Sequence, residues 1–359
     1  MSIHFSPSRW EKIRNTYDLW WNRKLDRPLL IIRILNTYES DGIAPNFPLL
    51  SQSNCHDFSI PPEEIINAMD YNLQKIEYLG DSFPSINFDC FGPGVLAAFC
   101  GAVLDNSRGR VWFFPEKRQP IEELHVKYDP ENKWVKRIKD IYLAGNEKWQ
   151  GQVQMGMPDL GGILDVAATF RTTEQLLLDL YESPEEVLRL CGEIQNAWHE
   201  AYRDMRSVLD VSSPGYTDWK GLFSSTPSYV LQSDFSYMIS PEMFRTFTLP
   251  FLIKDCDILD HTIYHLDGIG QIPHLDMLLS LENLNAIQWV YGAGKPGPSN
   301  WIDLYKRIEE AGKCIDIDGS ADDFMAVYSR VKKGLCIQRG FYQKDRAAAE
   351  ELLKAFGEI

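Results

Sequence analysis

His265 and Asp267 are the residues whose types and spacing most invite chemistry. They follow the β-branched and aromatic run Thr262-Ile263-Tyr264 and precede Gly268 and Gly270. Side chains two apart on an extended segment point to the same side, so an imidazole and a carboxylate converge. Such a pair can ligate a divalent metal, since zinc accepts nitrogen and oxygen ligands, or act as general acid and base. Asp234 and Tyr237, in the polar segment just upstream, complete the candidate catalytic set; the plainer use of this segment is to lead into the helix that follows. Trp219, Trp289, Asp318 and Arg339 are candidate substrate-binding residues because each falls within or directly after a strand-like run. Their structural alternatives are aromatic core, turn chemistry and a salt bridge.

The elements that must hold these groups alternate. Ser240-Pro241-Glu242 predicts a helix start, with Ser as N-cap and Pro at the first helical position. Phe244, Phe247, Phe251 and Leu252 then form an apolar stripe for burial against a sheet. Strand-like runs are expected near residues 29, 86, 152, 213, 262, 287, 314 and 335, mostly with helices between them. Alternation of this kind implies a parallel sheet. Eight units imply closure into a (β/α)8 barrel, a TIM barrel, whose reactive groups gather at the C-terminal ends of the strands. An open doubly wound sheet is the alternative. The whole chain, 1–359, reads as one domain: an aromatic helical arm over 1–27, then the barrel over about 29–356. Trp10, Ile13, Tyr17, Trp20 and Trp21 on that arm predict a lid over the barrel's base or a subunit contact, as in a homodimer. Residues 36–61 are irregular, and 111–128 read as an excursion of short strands after the second strand.

Composition excludes several classes. A net charge of −15 argues against nucleic acid, which needs a basic surface. It disfavours heavily carboxylated substrates unless arginines cluster locally. No apolar run is long enough for a membrane span. Seven dispersed cysteines without a CxxC pair, behind an N-terminus with no apolar signal core, predict reduced thiols and a cytoplasmic location. Cys314 and Cys336 fall inside apolar strands and are expected to be inert. The glycine-rich stretch 292–297 lacks the spacing of a phosphate loop.

Taken in order, Gln232-Ser233-Asp234-Phe235-Ser236-Tyr237-Met238-Ile239-Ser240-Pro241-Glu242, Tyr264-His265-Leu266-Asp267-Gly268, Ile287-Gln288-Trp289 and Gly292-Ala293-Gly294-Lys295-Pro296-Gly297-Pro298 resemble the uroporphyrinogen decarboxylase superfamily. The likeness runs from about Gly151 to the C-terminus. That superfamily also holds the corrinoid-linked methyltransferases and cobalamin-independent methionine synthase. The resemblance implies a TIM barrel and leaves the reaction open. The decarboxylases share an arginine-rich stretch after the first strand that grips substrate carboxylates; here that region carries Arg33 alone. The methyltransferases use a zinc–thiol site, His-x-Cys at the position of 265–267 with a distant Cys that would fall near Arg339. Here Asp267 replaces the first Cys, and Cys336 lies inside the strand. The resemblance therefore implies a methyltransferase-like enzyme acting on a small molecule or a corrinoid-linked methyl group. Zinc or another divalent metal at His265 and Asp267 would be its cofactor, and a corrinoid, free or on a partner protein, its methyl carrier. Porphyrin-precursor decarboxylation and a non-catalytic corrinoid- or partner-binding barrel are the other readings.

Overall fold

A computed structural model describes residues 3–209 and 214–358. The first element is the helix Arg9–Trp21, whose Trp10, Ile13, Tyr17, Trp20 and Trp21 are all buried. The indole N–H groups of Trp20 and Trp21 donate to the carbonyls of Gly334 and Phe223 at 3.0 and 2.9 Å. The arm's aromatic face is thus spent on the chain's own interior.

Eleven strands follow in the described residues: β1 (Leu29–Leu35), β2 (Glu77–Gly80), β3 (Ser85–Ile86), β4 (Val103–Asp105), β5 (Trp112–Phe114), β6 (Gln154–Met155), β7 (Ser228–Gln232), β8 (His261–Asp267), β9 (Ala286–Val290), β10 (Cys314–Ile317) and β11 (Leu335–Tyr342). The main sheet has the order β2-β1-β11-β10-β9-β8-β7. It is parallel throughout except for β2, which pairs antiparallel with β1. Helices between successive strands cover it, as parallel pairing requires.

Among the described residues the hydrogen-bonded sheet does not close, so the expected complete eight-stranded ring is not formed by backbone ladders there. β3 and β6 are two residues each and form a separate parallel pair. An isolated bridge from Met157 to Asp218 extends that pair. Side chains, not ladders, tie it to the main sheet. Arg33 Nη2 donates to Ser85 Oγ at 3.0 Å, and the Val230 N–H donates to the Asp218 carboxylate. Ladders this short cannot supply the bonds a closed ring needs.

β2, β4 and β7 lie where no strand was expected. β2 takes up residues 77–80, shortly after the helix Pro62–Leu73 ends. β7 occupies 228–232, whereas the expected strand near 213 falls partly outside the described residues and leaves isolated bridges at Tyr216 and Asp218. The excursion is a two-stranded antiparallel hairpin, β4–β5, with Leu104 opposite Phe113. No strand forms around His125; a short 3-10 turn, Ile121–Glu123, precedes it.

Downstream of β7 the grammar of the sequence holds. The Ser240 side chain accepts the Met243 N–H, and the helix Pro241–Phe247 starts there. Pro250 breaks the apolar stripe into a second helix, Leu249–Asp257, because proline has no N–H to continue the ladder. Phe244, Phe247, Phe251 and Leu252 are buried as the stripe requires.

Candidate functional site

One layer of the parallel sheet is polar. Gln232 (β7), His265 (β8), Gln288 (β9), Asp316 (β10) and Cys336 (β11) are successive register partners. Register partners in a parallel sheet face the same side, so five polar side chains line one face. His265 stands between the two glutamines of this row, and Asp267 lies two residues beyond it on β8.

The third member comes from a turn. Residues Asp234–Met238 form a 3-10 segment directly after β7. Its backbone is pinned from two sides: the Asp165 carboxylate accepts the N–H groups of Asp234 and Phe235 at 3.1 and 2.7 Å, and His274 Nε2 donates to the Ser236 carbonyl at 2.8 Å. One ligand atom each from Asp234, His265 and Asp267 lie within 4.8 Å of one another. Among the described residues no other three His, Cys, Asp or Glu side chains converge this way.

Hydrogen bonding sets the imidazole. His265 Nδ1 lies 2.6 Å from Gln288 Oε1, an acceptor only, so Nδ1 carries the proton and Nε2 keeps its lone pair. A carbonyl on the second nitrogen is the usual way a metal-binding histidine is oriented. The Trp219 ring meets the imidazole edge-on at 5.4 Å. One nitrogen and two carboxylates suit zinc or another borderline-to-hard divalent ion, with coordination positions left open.

The surrounding carboxylates are strained electrostatically. Desolvation first, then the Asp267 and Asp159 charges, push Asp234 up to about 7. Burial and the Asp234 charge push Asp165 up to about 7, and burial pushes Asp159 up to about 6. A cation among these groups would relieve that repulsion.

Not every expected residue joins them. Tyr237 is nearby: its ring packs on Gly268, whose φ of +82° and lack of Cβ make room, since a Cβ there would sit 2.8 Å from Tyr237 Cε2. Trp289 pairs with Leu266, so it faces away from His265; it is fully buried beside Trp301 at 5.0 Å. Alternation along β11 puts Arg339 on the side opposite Cys336, where Nη1 donates to the Gly319 carbonyl at 2.6 Å. The exposed Asp318 is at that same corner. Arg339 thus braces the loop after β10 and faces away from the His265 row. The Cys314 thiol is pushed up to about 12 by burial, and Cys336 is raised further by burial and by Asp316.

One cavity borders the triad at Asp234, and a second lies among β1, β3 and residues 217–221. The larger, about 590 Å³, is lined by Asp234, Asp165 and Gln232 on one side and by Trp112, Phe113 and Phe114 of the hairpin on another. The smaller, about 200 Å³, is lined by Arg33, Ser85, Asn87, Asp218, Lys220 and Gln338. Lys220 is paired with the buried Asp316 at 2.9 Å. The residues missed from sequence are therefore Gln288, Gln232, Asp165, Arg33 and Lys220. The signal for the two glutamines was present: a polar residue inside an apolar strand that must be buried on both faces.

No known protein family matches the chain, and no curated protein does. A solved structure does. The methyltransferase from Methanosarcina mazei superposes over 89% of this chain and 95% of its own, with a TM-score of 0.57 and 12% identity. At that identity the likeness is one of fold: a mixed α/β arrangement that a methyltransferase also uses.

Proposed function

We propose that the chain is a metal-dependent enzyme that transfers a methyl group to or from a small molecule. The observation that carries this reading is the Asp234/His265/Asp267 group with the His265 tautomer locked by Gln288. Held there, a divalent ion would supply Lewis acidity, lowering the pKa of a coordinated thiol, alcohol or water. Zinc fits the donor set. His265 contributes Nε2, while Asp234 and Asp267 neutralise the ion's charge. Gln288 orients the imidazole, and Asp165 holds the turn that presents Asp234. Trp219 screens the imidazole from water on one side. The methyltransferase of like fold supports the choice of reaction class, and a corrinoid is the methyl carrier this reading favours.

The test supplies methylcobalamin and a thiol to the zinc-loaded protein and follows the corrinoid spectrum. Methyl transfer breaks the cobalt–carbon bond, leaves its electron pair on cobalt and forms a carbon–sulfur bond, the thiol proton passing to solvent. Spectral conversion that needs metal and is lost in His265→Ala is expected. No conversion with the metal bound overturns this reading of the reaction.

Carboxylate removal is the second reading, and the polar cavity holding Arg33 and Lys220 favours it. Arg33 has no carboxylate partner within 4.0 Å among the described residues. One unpaired guanidinium in a chain of net charge −15 is nevertheless a weak counterpart for a substrate with eight carboxylates. Turnover of uroporphyrinogen at high enzyme concentration would favour this reading, and its absence would dismiss it.

A further inference from the structure

The β4–β5 hairpin turns an apolar side to water. Alternation along its strands puts Leu104 and Phe113 against the core, while Val103, Trp112 and Phe114 on the other face are 52%, 59% and 50% exposed. An uncovered cluster of this size marks a contact surface rather than ordinary exposure. The hairpin is also a basic segment of an acidic chain. Residues 103–118 hold Arg108, Arg110, Lys117 and Arg118 against two carboxylates, in a protein of net charge −15. Tryptophan and arginine together are the residues that dominate protein–protein contacts.

A complementary surface lies across the cleft. The helix Thr173–Glu182 buries Leu176 and Leu180 and turns Glu174, Leu178, Tyr181 and Glu182 outward at helical spacing. Tyr181 is 76% exposed and Leu178 52%. Residues 172–188 hold five carboxylates and no lysine or arginine. Among the described residues none of the four hairpin cations is in an ion pair, and neither are Glu174, Glu182 and Glu185. Both surfaces border the 590 Å³ cleft, through Trp112, Phe114 and Arg118 on one side and Thr172, Thr173 and Glu174 on the other.

Two unlike, complementary patches beside one cleft suit an isologous contact: a two-fold axis between them sets each hairpin on the other copy's helix. Hairpin against hairpin would instead bring four cations against four. An anionic membrane would attract the hairpin but meet the carboxylates next to it. The N-terminal arm is not free for the purpose, because its aromatic face is buried within the chain.

We propose that the chain forms a two-fold dimer in which the β4–β5 hairpin of each copy packs on the helix Thr173–Glu182 of the other. Trp112 and Phe114 cover Leu178 and Tyr181, and the hairpin cations face Glu174, Glu182 and Glu185. Since both surfaces rim the cleft that Asp234 lines, the second copy roofs it. The assembly depends on neither the metal nor the reaction proposed above.

Sedimentation equilibrium of the full-length protein, 41.3 kDa per chain, tests it. About twice that mass is expected at micromolar concentration. Trp112→Ser and Tyr181→Ser, whose side chains are exposed enough to leave the fold intact by circular dichroism, should each weaken the dimer at least about tenfold. The two side chains meet in this arrangement, so a mixture of the variants forms a mixed dimer with one undamaged hairpin-on-helix contact. The mixture should therefore associate more tightly than either variant alone. A monomeric wild type, a dimer that ignores either substitution, or no gain on mixing overturns the proposal. A loss in Trp112→Ser alone would assign a hairpin-to-hairpin contact instead. A monomer that sediments with phosphatidylserine-containing vesicles would assign the hairpin to a membrane, and would equally overturn it.

Discussion

His265 Nδ1 lies 2.6 Å from Oε1 of Gln288, its register partner on the next strand. One amide oxygen thereby decides which imidazole nitrogen is free. Gln288→Leu should weaken zinc binding about 10–100-fold, the usual effect of losing an orienting partner. Competition against a chromophoric chelator measures it. An unchanged affinity would mean that Gln288 does not prepare the imidazole for a metal.

Asp165 reaches the site only through the backbone, by accepting the N–H groups of Asp234 and Phe235. Asp165→Ala should cost about 1–3 kcal/mol of stability, the penalty for buried donors left unmatched. It should also weaken zinc binding by letting Asp234 drift. Denaturant unfolding and chelator competition on the same variant separate the two effects. Lost stability with undiminished zinc affinity would assign Asp165 a purely structural role.

Burial raises Asp218 to about 6. Between the ordinary carboxylate value of about 4 and that value, the folded chain holds a proton that the unfolded chain has released. This group's contribution to stability therefore falls as pH rises through the window and is level above it. Asp218→Asn lacks that dependence, so the variant's Tm relative to wild type should climb from about pH 4 to about pH 6.5 and then flatten. A Tm difference independent of pH would refute the assignment.

The Lys220–Asp316 pair is nearly sealed, with side-chain exposures of 14% and 0%. Removing one partner leaves an uncompensated buried charge, so Asp316→Ala should lose about 3–5 kcal/mol. The double replacement Lys220→Met with Asp316→Leu should recover most of that loss. Urea unfolding of the three proteins checks it. A single variant as stable as wild type would show that the ammonium finds water or another partner.

The legible parts of the sequence were those with strong local grammar. Ser240-Pro241-Glu242 marked its helix, and β1, β8, β9, β10 and β11 were visible as apolar runs. His265 and Asp267 could be paired from their spacing, and Asp234 from its neighbourhood. What escaped depends on partners far along the chain. β7 is a five-residue run whose identity as a strand rests on pairing with β8. β3 and β6 are too short to announce how they pair, so closure of the ring was over-read. Arg339 looked available because it follows a strand, but alternation turns it to the other face, onto Gly319. Gln288 and Gln232 gain their meaning only once the register aligns them with His265.

Whether Asp234, His265 and Asp267 hold a metal decides the proposed chemistry. Elemental analysis after equilibration with zinc and gel filtration should give about one ion per wild-type chain. His265→Ala and Asp267→Ala should each fall to a small fraction of that, with folding verified by circular dichroism. A wild-type chain without bound metal, or variants that keep the full ion, would contradict the account.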